Sequence, residues 1–352
     1  MMRLAVAGAG LIGRRHIQLI ADHPRCACVG VADPAPAAAE FCAAQAIAHD
    51  TDLATLIDAV ELDGVIIATP NALHVDHALA CITRHLPCLI EKPVAADLDD
   101  GHRLLAAMDQ HATPVLVGHH RRHSPIMETA VAAVRSGAIG APVAVTGATL
   151  FHKGDHDGYF DGANAWRRAP GGGPILINLI HDIDNLRALC GEIVEVTALT
   201  SRATRDFEVE DTAALAIRFA SGALGTFMLS DTAASATSWE HTSGEDAVNF
   251  GAAHAAGGTC YEIAGTRGSL SVPTLRVRSY PNGISASWRS AMVEHDLDRA
   301  PGDPLVRQLE HFCDVVAGAA APLVSVRDGV ENLRVIEAIG RSAATGQTVF
   351  LS

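Results

Sequence analysis

Short apolar segments rich in β-branched residues alternate with longer segments of helical periodicity over the first third of the chain. This alternation is typical of a parallel sheet whose strands are joined by crossover helices, and it predicts an α/β, doubly wound unit. Strands are predicted at Leu4–Ala7, Val29–Ala32, Val65–Ala68, Leu89–Glu91 and Val115–Gly118. Helices are predicted over residues 11–21, 36–45, 71–82 and 99–110.

After Pro142 the pattern changes to strand-like segments separated by glycine turns such as Ser221-Gly222, which favours antiparallel pairing. These segments cover residues 143–151, 195–200, 212–222, 223–231 and 268–280. Between the first two, three glycines and Pro174 open a predicted helix that places Asn178 and His181 on one face, at positions i and i+3. Two later amphipathic helices, in 303–318 and 326–346, have an architectural role. Residues 235–258 have little apolar pattern and are predicted to form a long loop, either a lid or an interface element.

Length and charge narrow the class of protein. A chain of 352 residues exceeds the usual size of one domain, and we expect an NAD-binding domain over 1–122 and a substrate-binding and oligomerisation domain over 123–352. The C-terminal helices are free to pack back on the first domain. A formal charge of −14 argues against nucleic acid or an acidic membrane surface as the partner and favours a small molecule.

The apolar pattern also indicates where in the cell the protein is expected. No apolar run approaches the ~20 residues of a membrane span, and the apolar residues after Met1 run directly into a glycine-rich turn rather than a cleavable leader. The eight cysteines show no paired metal spacing and are predicted to be reduced and mostly buried. We therefore expect a cytoplasmic protein.

A dinucleotide fingerprint follows the first predicted strand. Gly8, Gly10 and Gly13 form G-x-G-x-x-G at the start of a predicted helix, where the first glycine allows the turn, the second lets a pyrophosphate approach and the third lets helix and strand pack closely. About twenty residues on, Asp33 ends the second strand, where a carboxylate accepts hydrogen bonds from an adenosine ribose. The four residues after Asp33, Pro34-Ala35-Pro36-Ala37, include no arginine or lysine to neutralise a 2′-phosphate, so NAD is favoured over NADP. The alternative is that Asp33 only caps an Asp-Pro turn.

Polar residues follow the other predicted strands. Ligands of an open parallel sheet bind at the carboxyl ends of its strands, and Lys92 lies at the end of Leu89–Glu91. The segments Thr69-Pro70-Asn71 and 119–125 end neighbouring strands. A lysine chosen at random is usually a solvated surface residue, but at this edge its ammonium can point at a reacting oxygen.

Several motifs together resemble one family. "GAGLIG", "VADP", "ATPNALH", "EKP", "WRR", "GGGPILINLIHDID" and "GTRGSL" occur in this order over nearly the whole chain and are similar to the Gfo/Idh/MocA family of glucose-fructose oxidoreductase and inositol dehydrogenase. The resemblance implies an N-terminal Rossmann domain and a C-terminal α/β domain. The second domain would contain an open, mostly antiparallel sheet that shapes the substrate pocket and often forms an oligomer interface. A homodimer or homotetramer is therefore expected.

The resemblance also implies roles for individual residues. Lys92 matches a catalytic lysine whose bond to the following proline is commonly cis, and His181 matches a general base, for which a group titrating near neutral pH is suited. Many members carry an aspartate four residues before that histidine, where this chain has Ile177; we expect the neighbouring Asn178 to bind a substrate hydroxyl instead. His181 could alternatively be a hydrogen-bonded core histidine.

Positive charge is concentrated near these motifs. Arg121, Arg122, Lys153, Arg167 and Arg168 suggest recognition of a pyrophosphate and of a substrate carboxylate, although some of these side chains are expected to face solvent. The expected cofactor contacts are Gly8, Gly10, Leu11, Ile12, Gly13, Asp33, Thr69, Pro70, Asn71, His74, Glu91, Lys92, Arg121, Trp166 and Arg167. The expected substrate contacts are Lys92, Arg121, Lys153, Trp166, Asn178 and His181.

Three functional hypotheses follow. The first is an NAD-dependent dehydrogenase that oxidises a secondary hydroxyl of a sugar, cyclitol or related hydroxy acid. The second is a glycosidase of the same superfamily that retains NAD, and the third is a ligand-sensing regulator on the same fold, which the presence of both Lys92 and His181 disfavours. The histidines His119, His120, His123, His152 and His156 show no metal-binding spacing, so no metal is expected.

Overall fold

The computed structural model describes residues 1–154, 157–245 and 257–351. The chain forms two compact units. The first unit contains Met1–His123 and Pro304–Leu333, and the second contains Ser124–Asp303 and the residues from Arg334 onward. In the described parts of the chain, no helix combines the length and the apolar character required to cross a membrane.

The first unit is built on a six-stranded parallel sheet. Its strands are β1 (Met2–Ala7), β2 (Cys26–Ala32), β3 (Ala48–Asp50), β4 (Gly64–Ile67), β5 (Cys88–Glu91) and β6 (Val115–Gly118). They lie in the order β3-β2-β1-β4-β5-β6, so the direction of winding reverses between β1 and β4. The helices of this unit are Leu11–Ala21, Pro36–Ala44, Leu53–Ala59, His74–Ile82, Leu98–Gln110 and Pro304–Val316. The predicted doubly wound sheet is confirmed.

Apart from Glu91 at the end of β5, the residues of β4, β5 and β6 are apolar or glycine, as expected where helices cover both faces of a parallel sheet. Every residue of β4, β5 and β6 is buried. Neither β3 nor the helix Leu53–Ala59 was predicted from the sequence, and β3, which reads Ala-His-Asp, has no apolar run. Asp52 begins that helix by accepting a hydrogen bond from the Thr55 backbone N–H at 2.8 Å.

The second unit contains a ten-stranded, mostly antiparallel sheet within the described residues. Its strands are β7 (Pro142–His152), β8 (Ile193–Ser201), β9 (Thr212–Phe219), β10 (Leu224–Ser230), β11 (Thr232–Thr237), β12 (Tyr261–Gly265), β13 (Gly268–Val272), β14 (Arg276–Ser279), β15 (Val293–Asp296) and β16 (Val349–Phe350). The main path is β15-β14-β13-β12-β7-β10-β9-β8-β16, with β11 paired to β7. The predicted open, mostly antiparallel sheet is confirmed.

Side chains alternate across this sheet as a half-buried surface requires. The buried face of β9 carries Ala213, Leu215, Ile217 and Phe219, which join one core with residues of the helices Pro125–Arg135, Ile180–Cys190 and Val326–Thr345. The helix Val326–Thr345 begins in the first unit and ends in the second. The second unit also contains the short helices Gly162–Arg168, of 3-10 type, and Trp239–Thr242. The first unit contains the 3-10 helices Asn71–Leu73 and His120–His123.

Three predictions about local structure need correction. The helix expected from Pro174 to Asp184 is a π-helix over Ile175–Leu179 followed by the α-helix Ile180–Cys190. The strand expected over 268–280 is divided into β13 and β14, because Leu275 turns the chain with a φ of 60°. The loop expected over 235–258 contains the end of β11 and the helix Trp239–Thr242; residues 246–256 lie outside the described residues, so a lid or interface role remains a hypothesis.

Candidate active site

The glycine-rich turn connects β1 to the helix Leu11–Ala21. Gly8 has a φ of +89°, and a Cβ added there would lie 2.5 Å from the Ala68 carbonyl oxygen. A Cβ on Gly13 would lie 1.9 Å from the Gly8 carbonyl oxygen, whereas one on Gly10 would meet nothing within 4 Å. The first and third glycines therefore close the turn, and the second leaves open space above it.

That open space faces a helix start suited to an anion. The helix Leu11–Ala21 has no side-chain cap and no acidic residue in its first turn, so its first backbone N–H groups are free to meet a pyrophosphate. Leu11 is 84% exposed at this position, and Ile12 is half-buried. These residues fit the diphosphate of a dinucleotide.

Asp33 at the end of β2 is tied to the same turn. Its Oδ2 accepts a hydrogen bond from the Ala9 backbone N–H at 2.6 Å, and its Oδ1 accepts one from the Ala35 N–H at 2.8 Å. A carboxylate has about four lone-pair sites, so acceptor capacity remains for ribose hydroxyls. The carboxylate can both hold the glycine turn and bind a ribose.

His74 joins the carboxyl ends of β4 and β5. Its Nε2 lies 2.9 Å from the Thr69 carbonyl oxygen and its Nδ1 lies 2.7 Å from the Pro93 carbonyl oxygen, and its side chain is buried. Burial lowers the pKa of His74, while the two carbonyls oppose that shift. The histidine connects the segment Thr69-Pro70-Asn71 to the backbone that follows Lys92. Thr69 and Asn71 are half-buried and Pro70 is exposed.

Glu91 ends β5 with a buried carboxylate. Its Oε1 lies 2.8 Å from His16 Nε2, and its Oε2 accepts a hydrogen bond from the Lys92 backbone N–H at 3.2 Å. Burial pushes the pKa of Glu91 upward, but the His16 contact and the nearby Lys92 charge outweigh burial and lower the pKa. Lys92 itself is half-buried, and the Lys92-Pro93 peptide is cis, as the resemblance implied.

The segment after β6 contributes histidine and arginine. Arg121 is 3% exposed within the 3-10 helix His120–His123. Burial, with the neighbouring Arg121 charge, lowers the pKa of His120 to about 3. A neutral His120 leaves Arg121 and Arg122 as the cations of this segment.

In the second unit, Lys153 follows β7 and contacts two polar groups. Its ammonium donates to Asn178 Oδ1 at 2.6 Å and to the Tyr159 hydroxyl at 2.8 Å. Arg167 donates to the Tyr159 carbonyl oxygen at 2.8 Å, and its guanidinium carbon lies 4.0 Å from the centre of the Tyr159 ring. Trp166 is 47% exposed beside it. The structure thus brings Lys153, Asn178 and Arg167 together around Tyr159, a residue that the sequence analysis did not select.

His181 lies in the first turn of the helix Ile180–Cys190, directly after the π-helix. The next residue, Asp182, is fully buried and accepts hydrogen bonds from the Tyr261 hydroxyl and, at 3.0 Å, from the Thr149 hydroxyl. Asn185 donates to the Tyr261 hydroxyl at 3.1 Å. This network anchors the helix that presents His181. π-Helical turns occur frequently at functional sites.

The histidines His119, His120, His123 and His152 do not come together as a metal site. Among the residues that the structure describes, no group of three histidine, cysteine or acidic side chains is arranged to hold a metal ion. His152 Nδ1 contacts the Thr232 carbonyl oxygen at 3.0 Å, and the His123 ring packs 5.2 Å from that of His311. His156 lies outside the described residues.

Comparison with known proteins identifies the class. Residues 2–119 match the oxidoreductase family with an NAD-binding Rossmann fold, and residues 127–271 match the GFO/IDH/MocA C-terminal domain. The protein is therefore an NAD-binding oxidoreductase. It belongs to the GFO/IDH/MocA family, which confirms the family and the enzyme class predicted from its motifs.

Individual relatives agree with this assignment. The chain is 29% identical over 299 residues to 1,5-anhydro-D-fructose reductase of Ensifer adhaerens, covering 84% of this chain and 82% of that protein. It is 28% identical over 365 residues to scyllo-inositol 2-dehydrogenase (NAD(+)) of Bacillus subtilis, covering 99% and 96%. An oxidoreductase from Agrobacterium radiobacter, solved with NAD+, L-tartaric acid and magnesium, shares the fold with a TM-score of 0.80 at 20% identity, covering 99% and 98%.

The glycine turn supplies a direct test of cofactor binding. In Gly13→Ala the added Cβ would collide with the Gly8 carbonyl oxygen, so we expect the dissociation constant for NAD to rise at least about tenfold, or about 1.4 kcal/mol. Gly340→Ala is the matched control, because a Cβ at this exposed position of the helix Val326–Thr345 meets nothing within 4 Å. Calorimetric titration with NAD measures both variants. Equal NAD affinity in Gly13→Ala and the unmodified protein would contradict the assignment of the turn.

Proposed function

We propose that the protein is an NAD-dependent dehydrogenase that oxidises a secondary hydroxyl of a sugar, cyclitol or related cyclic polyol or hydroxy acid. Lys92 and His181 are the acid/base groups. NAD, when bound, accepts the hydride from the carbinol carbon. The hydroxyl proton must leave at the same time, and this chain has to supply the group that takes it.

The position of Lys92 carries the proposal. Lys92 follows a strand end, its backbone N–H is held by the buried Glu91 carboxylate at 3.2 Å, and the next residue is joined to His74. A half-buried ammonium on such a rigid backbone suits stabilisation of a developing alkoxide, because a preoriented charge needs no reorganisation during the reaction. A lysine whose side chain only contacts solvent would not require its backbone to be held by Glu91 and His74.

His181 is the proposed general base. Its helix is anchored by the buried Asp182 network, and the side chain is 6% exposed, so the imidazole is oriented and largely shielded from water. An imidazole can accept a proton from a substrate hydroxyl near neutral pH. Ile177 has no ionisable group, and Asn178 cannot act as a base.

The substrate class rests on the named relatives. Proteins similar over most of this chain are called scyllo-inositol 2-dehydrogenase and 1,5-anhydro-D-fructose reductase, and both names describe cyclic, hydroxyl-rich compounds. These names support a sugar or cyclitol as the substrate. The cytoplasmic location expected from the sequence stays a prediction.

We also propose a homo-oligomer, a homodimer or homotetramer, in which a second copy covers the open face of the second sheet. Leu199, Ala214, Met228 and Ala148 are cross-strand neighbours in one row on that face. Leu199 is 71% exposed and Met228 is 42% exposed in the single chain. An apolar row of this kind is typical of a surface buried by association.

Replacement of the two proposed acid/base groups tests the mechanism. We expect Lys92→Met and His181→Gln each to lower kcat by about 10²–10⁴, the range for losing a positioned proton-transfer or charge-stabilising group. NAD affinity should change far less than kcat. Turnover is followed by absorbance of NADH with inositols, aldoses and uronic acids as substrates. Full activity in either variant would remove that residue from the mechanism.

Asp33 is proposed to select NAD over NADP. A 2′-phosphate would lie against the carboxylate and be repelled by it, so kcat/KM for NAD should exceed that for NADP by at least about 100-fold. Asp33→Asn keeps an acceptor for the Ala9 N–H but removes the charge, and should reduce this ratio at least about tenfold. Asp22→Asn, at an exposed position, is the control and should leave the ratio unchanged. A native preference for NADP would refute the role of Asp33.

A further inference from the structure

Lys153 organises a small polar cluster in the second unit. Its ammonium donates to Asn178 Oδ1 at 2.6 Å and to the Tyr159 hydroxyl oxygen at 2.8 Å, and it lies 4.2 Å from the centre of the Tyr159 ring. Lys92 and Lys153 are the two lysines of the chain. One of them follows the fifth strand of the first unit, and the other supports this cluster.

These contacts determine which way the two neutral groups face. An ammonium has three donors and no acceptor, so the Asn178 atom facing it must be the carbonyl oxygen, and the amide nitrogen points away. The Tyr159 hydroxyl likewise accepts from Lys153 and keeps its own proton to donate elsewhere. Because of these contacts, the Asn178 amide N–H and the Tyr159 O–H both point away from Lys153 as hydrogen-bond donors.

Both donors remain available. Tyr159 and Asn178 are half-buried, and within 1–154, 157–245 and 257–351 neither the Tyr159 O–H nor the Asn178 amide N–H meets an acceptor. Burial raises the pKa of Tyr159 to about 12, with Arg167 opposing the shift and Asp231, Glu240 and Asp157 adding to it. The hydroxyl therefore keeps its proton at neutral pH.

The groups that contact Tyr159 directly include two cations, Lys153 and Arg167. Arg167 lies against the Tyr159 ring, and its Nε is buried and makes no hydrogen bond with any described residue. The Asp231 carboxylate, which also feels the Lys153 charge, is already paired with Arg205 at 3.2 Å. Two outward donors beside the Lys153 and Arg167 cations match a group that only accepts hydrogen bonds.

We propose that Tyr159 and Asn178 form a subsite for a carboxylate, so that the substrate is a cyclic polyol acid of the uronic acid type. This inference rests on the proposed dehydrogenase function and specifies its substrate. Asn178 precedes His181 by three residues, at the junction of the π-helix and the helix Ile180–Cys190, so the carboxylate would bind about one helical turn from the proposed base. A neutral sugar hydroxyl also accepts hydrogen bonds from these donors, but a charged acceptor forms hydrogen bonds about twice as strong.

The test compares acids with their neutral counterparts. D-Glucuronate against D-glucose and D-galacturonate against D-galactose differ only in the carboxylate, and NADH formation gives kcat/KM for each. We expect the unmodified enzyme to prefer at least one acid by about tenfold or more, which corresponds to about 1.4 kcal/mol. An equal or reversed preference for both pairs would overturn the subsite.

Two variants test the donors, and a third is the control. Asn178→Asp keeps the Lys153 contact but replaces the donor with a negative charge, and should lower the acid-to-neutral ratio at least about 100-fold. Tyr159→Phe should lower it about tenfold through loss of one donor. Tyr280→Phe removes a hydroxyl that bonds the Ser287 carbonyl oxygen and should not change the ratio. An unchanged ratio in a folded Asn178→Asp protein, as judged by circular dichroism, would refute the proposal.

A binding measurement tests the carboxylate subsite independently of the proposed oxidation. Calorimetric titration of the NAD-loaded protein with the same four compounds needs no turnover. If an acid binds more tightly than its neutral counterpart and Asn178→Asp removes that difference, the subsite is supported even when no NADH forms. If no compound is oxidised and neither acid binds more tightly than its neutral counterpart, both the subsite and oxidation of these compounds are rejected.

Discussion

The buried carboxylate of Glu91 imposes the strongest constraint on the first unit. Removing one partner from a buried charged pair typically costs about 3–5 kcal/mol, so a carboxylate that is buried at a strand end requires specific partners. His16 Nε2 at 2.8 Å and the Lys92 backbone N–H at 3.2 Å meet that requirement. The first partner belongs to the helix that follows the glycine turn, and the second is the backbone of the proposed catalytic lysine. One satisfied charge therefore fixes the helix after the glycine turn and the backbone of Lys92 relative to each other.

The second unit also contains a buried carboxylate that requires hydrogen-bond partners, and this carboxylate is next to His181 in the sequence. Asp182 is fully buried and is satisfied by Thr149 from β7 and Tyr261 from β12, so the helix is attached to two strands at the level of the histidine. In both units the residue proposed to react with substrate is next in sequence to a buried carboxylate. The buried acid supplies rigidity, and its neighbour is presented for chemistry. Preorganisation of this kind is what electrostatic stabilisation of a reacting oxygen requires.

The hydrophobic pattern along the chain predicted the elements that are determined by residues close together in the sequence. Apolar runs and the residues that end them predicted five of the six strands of the first sheet, the glycine turn, Asp33 after β2 and Lys92 after β5. Contacts between distant residues could not be predicted in this way. His16 and Glu91 are separated by 75 positions, and Asp182 and Tyr261 by 79, so no periodicity relates them. The π-helix before His181 was missed because its side chains resemble those of an ordinary apolar helix. Tyr159 was missed because its significance depends on Lys153 and Arg167 packing around it.

The central claim is that a hydride passes from a carbon of the substrate to NAD. Fully carbon-deuterated scyllo-inositol, myo-inositol, D-glucose and D-glucuronate make the test independent of which carbon is oxidised. Each compound is incubated with NAD and the enzyme, and the nicotinamide is then examined by mass spectrometry. The account predicts that at least one compound yields NADH carrying a single deuterium from the substrate. Conversion of a substrate with no deuterium in released NADH, as for an enzyme that retains and recycles its cofactor, would contradict it.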